Sequence, residues 1–118
     1  MSFLRYVDVI VASDGVGAGT GDTEYVNGKL ECIQYVKDNY DNGVDVAITG
    51  ATTGVPLWSK SNVDASEVAY PRRKWLNATT GVAAADAFTY CYIDDEAIRV
   101  TVSSAGDTKS GTFRFWVS

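Results

Sequence analysis

Apolar residues return at every second position in three stretches of this chain, and that period commits it to β-structure. In Val44-Asp45-Val46-Ala47-Ile48-Thr49 the larger apolar residues take alternate places. In Ala97-Ile98-Arg99-Val100-Thr101-Val102-Ser103 the apolar set is Ile98, Val100 and Val102. In Thr112-Phe113-Arg114-Phe115-Trp116-Val117 it is Phe113, Phe115 and Val117. Successive side chains of a strand point to opposite faces, so each stretch offers one face to a core and the other to solvent or a partner.

Weaker strand patterns fill much of the rest. Leu4 to Ala12 is β-branched and alternates less cleanly, which predicts a strand covered on both faces. Lys29 to Lys37 sets Leu30, Cys32, Gln34 and Val36 against Glu31, Ile33 and Tyr35. Phe88 to Ile93 carries Phe88, Tyr90 and Tyr92 on one side, and Val55 to Ser59 and Glu67 to Tyr70 are shorter candidates. Asn27-Gly28 and Asn42-Gly43 are turn signals, because both residue types tolerate positive φ. Asp94-Asp95-Glu96 reads as a tight hairpin tip, and Ser104 to Gly111 as a second hairpin. Pro56 and Pro71 mark edges or loops. Two stretches read as long and irregular: the Gly-rich Ser13 to Glu24, and Arg72 to Asp86 with a short helical turn at Val82 to Asp86.

About eight short strands, frequent turns and no long helix predict an all-β fold, a β-sandwich of jelly-roll or immunoglobulin-like type. The 118 residues fit a single domain spanning 1–118. No apolar run is long enough to cross a bilayer, and the first residues lack a signal-peptide pattern, so synthesis and folding in a cytoplasm are expected, with no membrane partner.

Charge and chemistry narrow the function. The net charge is −5, and it resides in residues 1–59, where Arg5, Lys29 and Lys37 face eight acids. A nucleic-acid partner needs a basic face, so none is expected. The one basic cluster is Arg72-Arg73-Lys74, beside Trp75; it reads as a solvated loop able to meet an acidic partner. Histidine is absent, which removes Ser-His-Asp and Cys-His catalysis. Cys32 and Cys91 stand apart and read as small buried hydrophobes, with a disulfide between neighbouring strands as the other possibility. Gly15-Val16-Gly17-Ala18-Gly19 lacks the spacing and the following helix of a dinucleotide fingerprint. Asp38, Asp41, Asn42 and Asp45 do not make a calcium loop and read as a solvated acidic turn. A hairpin tip at Asp94-Asp95-Glu96 has no cleft in which to perturb a carboxylate. Asn77-Ala78-Thr79 matches an N-glycosylation pattern but follows no secretion signal. No catalytic residue, metal or cofactor is expected, and the chain is read as a non-enzyme.

Aromatic residues are the remaining signal: seven tyrosines, three tryptophans and four phenylalanines. Trp116 falls out of phase with Phe113 and Phe115 and should face away from the core. Trp58 and Trp75 lie in or beside loops. Together with Arg72, Arg73 and Lys74, these three tryptophans are the candidate partner-contact residues.

Several segments, in order along most of the chain, resemble small structural proteins encoded by tailed bacteriophages. They are Val9 to Gly19, Val26 to Leu30, Gly43 to Gly50, Asn62 to Ser66, Tyr70-Pro71-Arg72 and Gly106 to Phe113. The resemblance implies a virion component on the capsid surface, a decoration (cement) protein that binds the major capsid protein and copies of itself as a trimer or dimer. The Gly-rich loop and Arg72 to Trp75 would be its contact elements. A head–tail connector or tail component is the alternative in the same setting. A carbohydrate-binding β-sandwich, stacking sugars on exposed tryptophans, is the alternative outside it.

Overall fold

The alternating stretches become strands of one antiparallel sheet, and their apolar sets enter one core. A computed structural model describes residues 4–76 and 83–118, with side chains described for all of these except 74–76 and 83–87. The strands are β1 (Arg5–Ala12), β2 (Gly19–Val36), β3 (Val44–Gly50), β4 (Pro56–Val63), β5 (Glu67–Ala69), β6 (Arg72–Leu76), β7 (Ala83–Ser103) and β8 (Ser110–Val117). Their hydrogen-bonded order is β1-β8-β2-β7-β3-β4, with β5 joined to β2 and β6 to β7. Val44, Val46, Ile48, Ile98, Val100, Val102, Phe113, Phe115 and Val117 are all buried, as the period-two pattern requires. Among the described residues no helix is long and apolar enough to cross a membrane.

β2 departs most from expectation. The Gly-rich stretch is a loop only from Ser13 to Ala18; from Gly19 it pairs with β7, Gly19 opposite Val102 and Gly21 opposite Val100. These two glycines mark close approach of another strand. A Cβ at Gly21 would lie 3.0 Å from the Cγ atoms of both Val9 and Val11, and one at Gly19 would strike the Ala12 carbonyl. The sheet therefore rolls until the start of β2 lies against the end of β1, and side chains from all sides meet in one cluster.

Rolling requires β2 to bend. Its ladders shift register between Asp22 and Tyr25, between Val26 and Gly28, and between Leu30 and Cys32. Asn27-Gly28 is thus a bulge inside a strand rather than a turn. Gly28 has φ +127°, and a Cβ there would collide with the Ser118 carbonyl. An extra residue in one strand flips the faces beyond it. Val26 and Leu30 are buried before the last shift, and Ile33 and Tyr35 after it. Side chains repair the interrupted ladder: Thr23 Oγ1 accepts from the Ile98 N–H (3.0 Å) and Asn27 Oδ1 from the Asp95 N–H (2.6 Å).

β7 corrects three further expectations. Asp94-Asp95-Glu96 is no hairpin tip; it runs through the middle of β7, opposite the bend of β2. Ser104 to Gly111 does not close a hairpin, because β7 pairs with β2, β3 and β6 while β8 pairs with β1 and β2. In place of a loop and a helical turn, Arg72–Leu76 and the first part of β7 form a two-stranded arm. Asn77, Ala78, Thr79 and Val82 lie outside the described residues. The first strand is not covered on both faces either: Val7 and Val11 are buried, whereas Tyr6, Asp8 and Ile10 are exposed.

The Gly-rich loop is held rather than free. Its Asp14 carboxylate accepts from the N–H groups of Val16 (2.9 Å) and Ala18 (3.1 Å). Ala105 N–H donates to the Gly17 carbonyl (3.0 Å), and Ser13 Oγ to the Gly106 carbonyl (2.6 Å), binding this loop to the β7–β8 connection. The acids of the neighbouring turn are also engaged separately, Asp38 by Thr112 Oγ1 and Asp45 by the Asn62 N–H.

Two buried tyrosines stack in the core, their ring centroids 6.3 Å apart, with Tyr35 also 5.1 Å from Phe113. Tyr40 OH donates to the Val11 carbonyl. The Tyr35 hydroxyl has no partner among the described residues, and burial pushes its phenol up to about 12. Removing an unpaired buried hydroxyl costs nothing, whereas removing a bonded one forfeits a buried hydrogen bond. Tyr35→Phe is therefore expected to leave stability unchanged or raise it by up to about 1 kcal/mol, and Tyr40→Phe to lower it by about 1 kcal/mol. Urea unfolding midpoints check both.

Glu96, though charged, is buried. Its carboxylate closes the β3–β4 turn, accepting from the N–H groups of Thr52 (3.0 Å) and Thr53 (3.1 Å) and from Thr53 Oγ1. These donors, the Thr53 N–H first, hold it below the ordinary glutamate value of 4.5. A depressed folded value stabilises the fold above that pH, and the contribution disappears as pH falls through the folded value. Glu96→Gln is expected to melt at a lower temperature than the natural chain at pH 7, with the two converging in acid below about pH 4.5. Parallel thermal melts across pH check the convergence.

Candidate contact face

The outward residues of β1, β8, the second half of β2 and β5 form one side of the sheet. Register fixes their rows. Tyr6, Trp116 and Cys32 lie side by side, then Asp8, Arg114, Gln34 and Val68, then Ile10, Thr112 and Val36. Leu4 (61% exposed), Tyr6 (49%), Ile10 (69%), Val68 (48%) and Tyr70 (67%) give this side far more uncovered apolar surface than a solvent face needs.

Its charges are mutually compensated. Arg114 makes a bidentate pair with Asp8, at 2.8 and 2.9 Å, and the guanidinium lies 3.9 Å from the Tyr6 ring centroid. Arg114 holds the Asp8 carboxyl below its usual range, and Asp8 raises the guanidinium in turn. The Tyr6 and Trp116 rings are 5.0 Å apart and tilted by 58°, an edge-on contact that fixes both. Aromatic rings and a clamped Arg make a rigid surface that loses little entropy on binding.

At one end of the face lies a groove of about 690 Å³, lined by Leu4, Lys29, Glu31, Cys32, Tyr70, Arg72, Trp116 and Ser118. Arg72 is anchored in its wall, donating to the carbonyls of Glu31 (3.1 Å) and Pro71 (2.7 Å), with its guanidinium 4.2 Å over the Tyr90 ring. Lys29 Nζ lies 5.1 Å from the centroid of the same ring. Glu31 faces Arg72 at 3.8 Å and accepts from Ser118 Oγ at 2.6 Å. Apolar walls with a few polar groups suit a side chain or ring of a partner.

The structure brings Arg72 and Trp116 together at this groove and places Trp58 and Arg73 away from it. Trp58 is in β4 rather than beside a loop, half-buried against the core and opposite Ile48. Arg73 turns the other way along β6 and donates to the Pro56 carbonyl. Lys74 and Trp75 continue β6, and their side chains lie outside the described residues. The basic cluster thus begins a paired strand, with Arg72 and Arg73 tying it to the body, and is not a solvated loop.

Sequence reasoning missed Leu4, Tyr6, Ile10 and Tyr70. β1 hides its exposed side because both faces carry large apolar residues. Asp8, in phase with Leu4, Tyr6 and Ile10, is the signal that this phase faces outward.

Both cysteines are free thiols, Cys91 buried and Cys32 half-buried in the groove. Burial raises the Cys32 thiol, with Arg72 pulling weakly against it. A thiol shifted upward is a poor nucleophile at neutral pH. In the folded chain one thiol is expected to react with a chromogenic disulfide, slowly at pH 7 and faster as pH rises past the range of an unhindered cysteine. Cys32→Ser should abolish this reaction, whereas Cys91→Ser should leave it.

Comparison with protein-family models, with curated proteins and with solved structures finds no match to this chain.

Proposed function

We propose that this chain is a virion structural protein of a tailed bacteriophage, a capsid decoration protein that binds the major capsid shell and copies of itself. One observation carries the reading: the uncovered aromatic and apolar face around Tyr6, Trp116 and Tyr70, on a domain whose sequence segments resemble such proteins. Protein contact surfaces combine rigid aromatics with internally neutralised charge in this way. A part present in many copies also gains from multivalency, since modest contacts add across a shell.

We also read the strand order as a jelly roll. Divide β2 at its bend, take β7 from Cys91 onward, and number the eight segments along the chain, leaving out the arm. The hydrogen-bonded orders are then 1-8-3-6 and 2-7-4-5. This nesting is that of two Greek keys, in which the first segment pairs with the last. An immunoglobulin-like sandwich would pair the first segment with the second. Jelly rolls occur in viral capsid and lectin domains alike, so the fold fits the virion reading without singling it out.

A second reading, carbohydrate binding, draws on the groove, where Trp116 and Tyr70 stand beside Lys29, Glu31 and Arg72. Two experiments separate them. Purified protein should co-sediment saturably with capsids that lack it, at a shell-wide copy number rather than that of a single connector ring. Combined Tyr6→Ala and Trp116→Ala substitution should weaken binding more than about tenfold, the scale of losing aromatic anchors. Failure to bind such capsids, with absence from washed virions, would remove the virion reading; glycan-array hits weakened by Trp116→Ala would establish the second.

A further inference from the structure

The strand order ends on β1 and β4, with β5 and β6 attached at its side, and three of these four strands carry features that discourage pairing. β4 begins with Pro56, carries Lys60 and has two register shifts. β5 has three residues. β6 opens with Arg72-Arg73-Lys74. Prolines, cations, bulges and short length are the means by which edge strands avoid joining other chains.

β1 differs. It has eight residues, no proline, no register shift and a single cation, Arg5, at its outer end. Its hydrogen-bonding parity follows from neighbouring bonds. Ser13 N–H donates to the Lys109 carbonyl, so odd residues of β1 face β8. Lys29 and Ser118 exchange both backbone bonds, so even residues of β8 face β2 and odd ones face β1. The N–H and C=O groups of Tyr6, Asp8 and Ile10 therefore point away from the sheet. Beyond Val9 this side is covered: the start of β2 stands against it at Gly19 and Gly21. Among the described residues it is open around Tyr6 and Asp8, and the apolar side chains of Leu4, Tyr6 and Ile10 stand exposed along it.

We infer that β1 pairs antiparallel with β1 of a second copy about a twofold axis at Tyr6 or Val7, joining two sheets into one. Both registers keep even residues opposite even residues, so each outward N–H of Tyr6 and Asp8 meets a carbonyl. An identical strand suits this edge because its one carboxylate, Asp8, is neutralised by Arg114, so the acidic excess behind the net charge of −5 does not fall on the seam. The pairing also makes the exposed Tyr6 and Trp116 rows of the two copies continuous, as an isologous interface requires. The inference rests on the self-association part of the proposed function and not on its capsid part.

Amide hydrogen exchange on the whole chain, read residue by residue with sedimentation equilibrium, tests it. The expected result is a dimer in which Tyr6 and Asp8 amides become protected as concentration rises, while Val7 and Val9 are protected throughout. Tyr6→Pro removes the outward N–H and leaves the β8 ladder, so it should weaken the dimer more than about tenfold; Tyr6→Ala keeps the N–H and should weaken it less. Fast exchange at Val7 in Tyr6→Pro would mean a lost ladder, and the natural chain's exchange then decides. A dimer or trimer with Tyr6 and Asp8 amides still fast would overturn the β1 pairing and leave self-association standing. A monomer at all concentrations would overturn both. Protection that appears only when capsids are added would assign the edge to a foreign strand and overturn the inference.

Discussion

One strand, β2, must join neighbours on two sides of the core, and the bend that lets it do so governs the rest. Its first half lies beside β7 and its second beside β8 and β5. A straight ribbon with two-residue periodicity buries the same phase along its whole length. Here the buried phase changes between Leu30 and Ile33, so the core receives side chains from both halves. Gly28 admits the positive φ, and Thr23 and Asn27 take the N–H groups that the shifted ladder leaves idle. Glu96 sits across from this bend on β7, and its placement beneath the β3–β4 turn depends on it.

The two sides of the sheet divide the aromatic residues by role. Tyr35, Tyr40 and Phe113 stack inside. Tyr6, Trp116 and Tyr70 stand outside, where Arg114 and Arg72 lie against rings and their charges are met by carboxylates or carbonyls. The carboxylates of Asp8 and Glu31 on this side each face an arginine. Under the proposed function a partner would meet rigid rings and neutral pairs, which favour shape complementarity over long-range attraction.

What was legible in the sequence follows from how much of each strand's surroundings is local. β3, the end of β7 and β8 each carry a clean alternation, because one face is core and the other is not. β1 does not, because its outer face is itself apolar. The start of β2, Gly19 to Glu24, read as a loop because its glycines answer to β1, a strand met only after the sheet rolls. Asn27-Gly28 and Asp94 to Glu96 carry turn-like residues for a related reason: bulges use the same backbone conformations as turns. Trp116 was legible as outward-facing from its phase, and Arg72 as a contact candidate from its charge. Leu4, Tyr6 and Tyr70 were not, since nothing within a few residues distinguishes an exposed tyrosine from a buried one.

The pairing of β1 with β8 has a consequence for how the chain reaches this structure. Asp8 and Arg114 are 106 residues apart in sequence, so this ladder closes a loop almost as long as the domain. Loop closure of that span must precede any return from its hydrogen bonds, which places the fold among slow, high-contact-order architectures. On a ribosome, β2 would wait for β8 until the residues through Val117 had emerged. During that wait the inner face of its second half, Ile33 and Tyr35 included, stays uncovered. Folding of this protein is thus a late, concerted event, and its most vulnerable interval lies just before the eighth strand arrives.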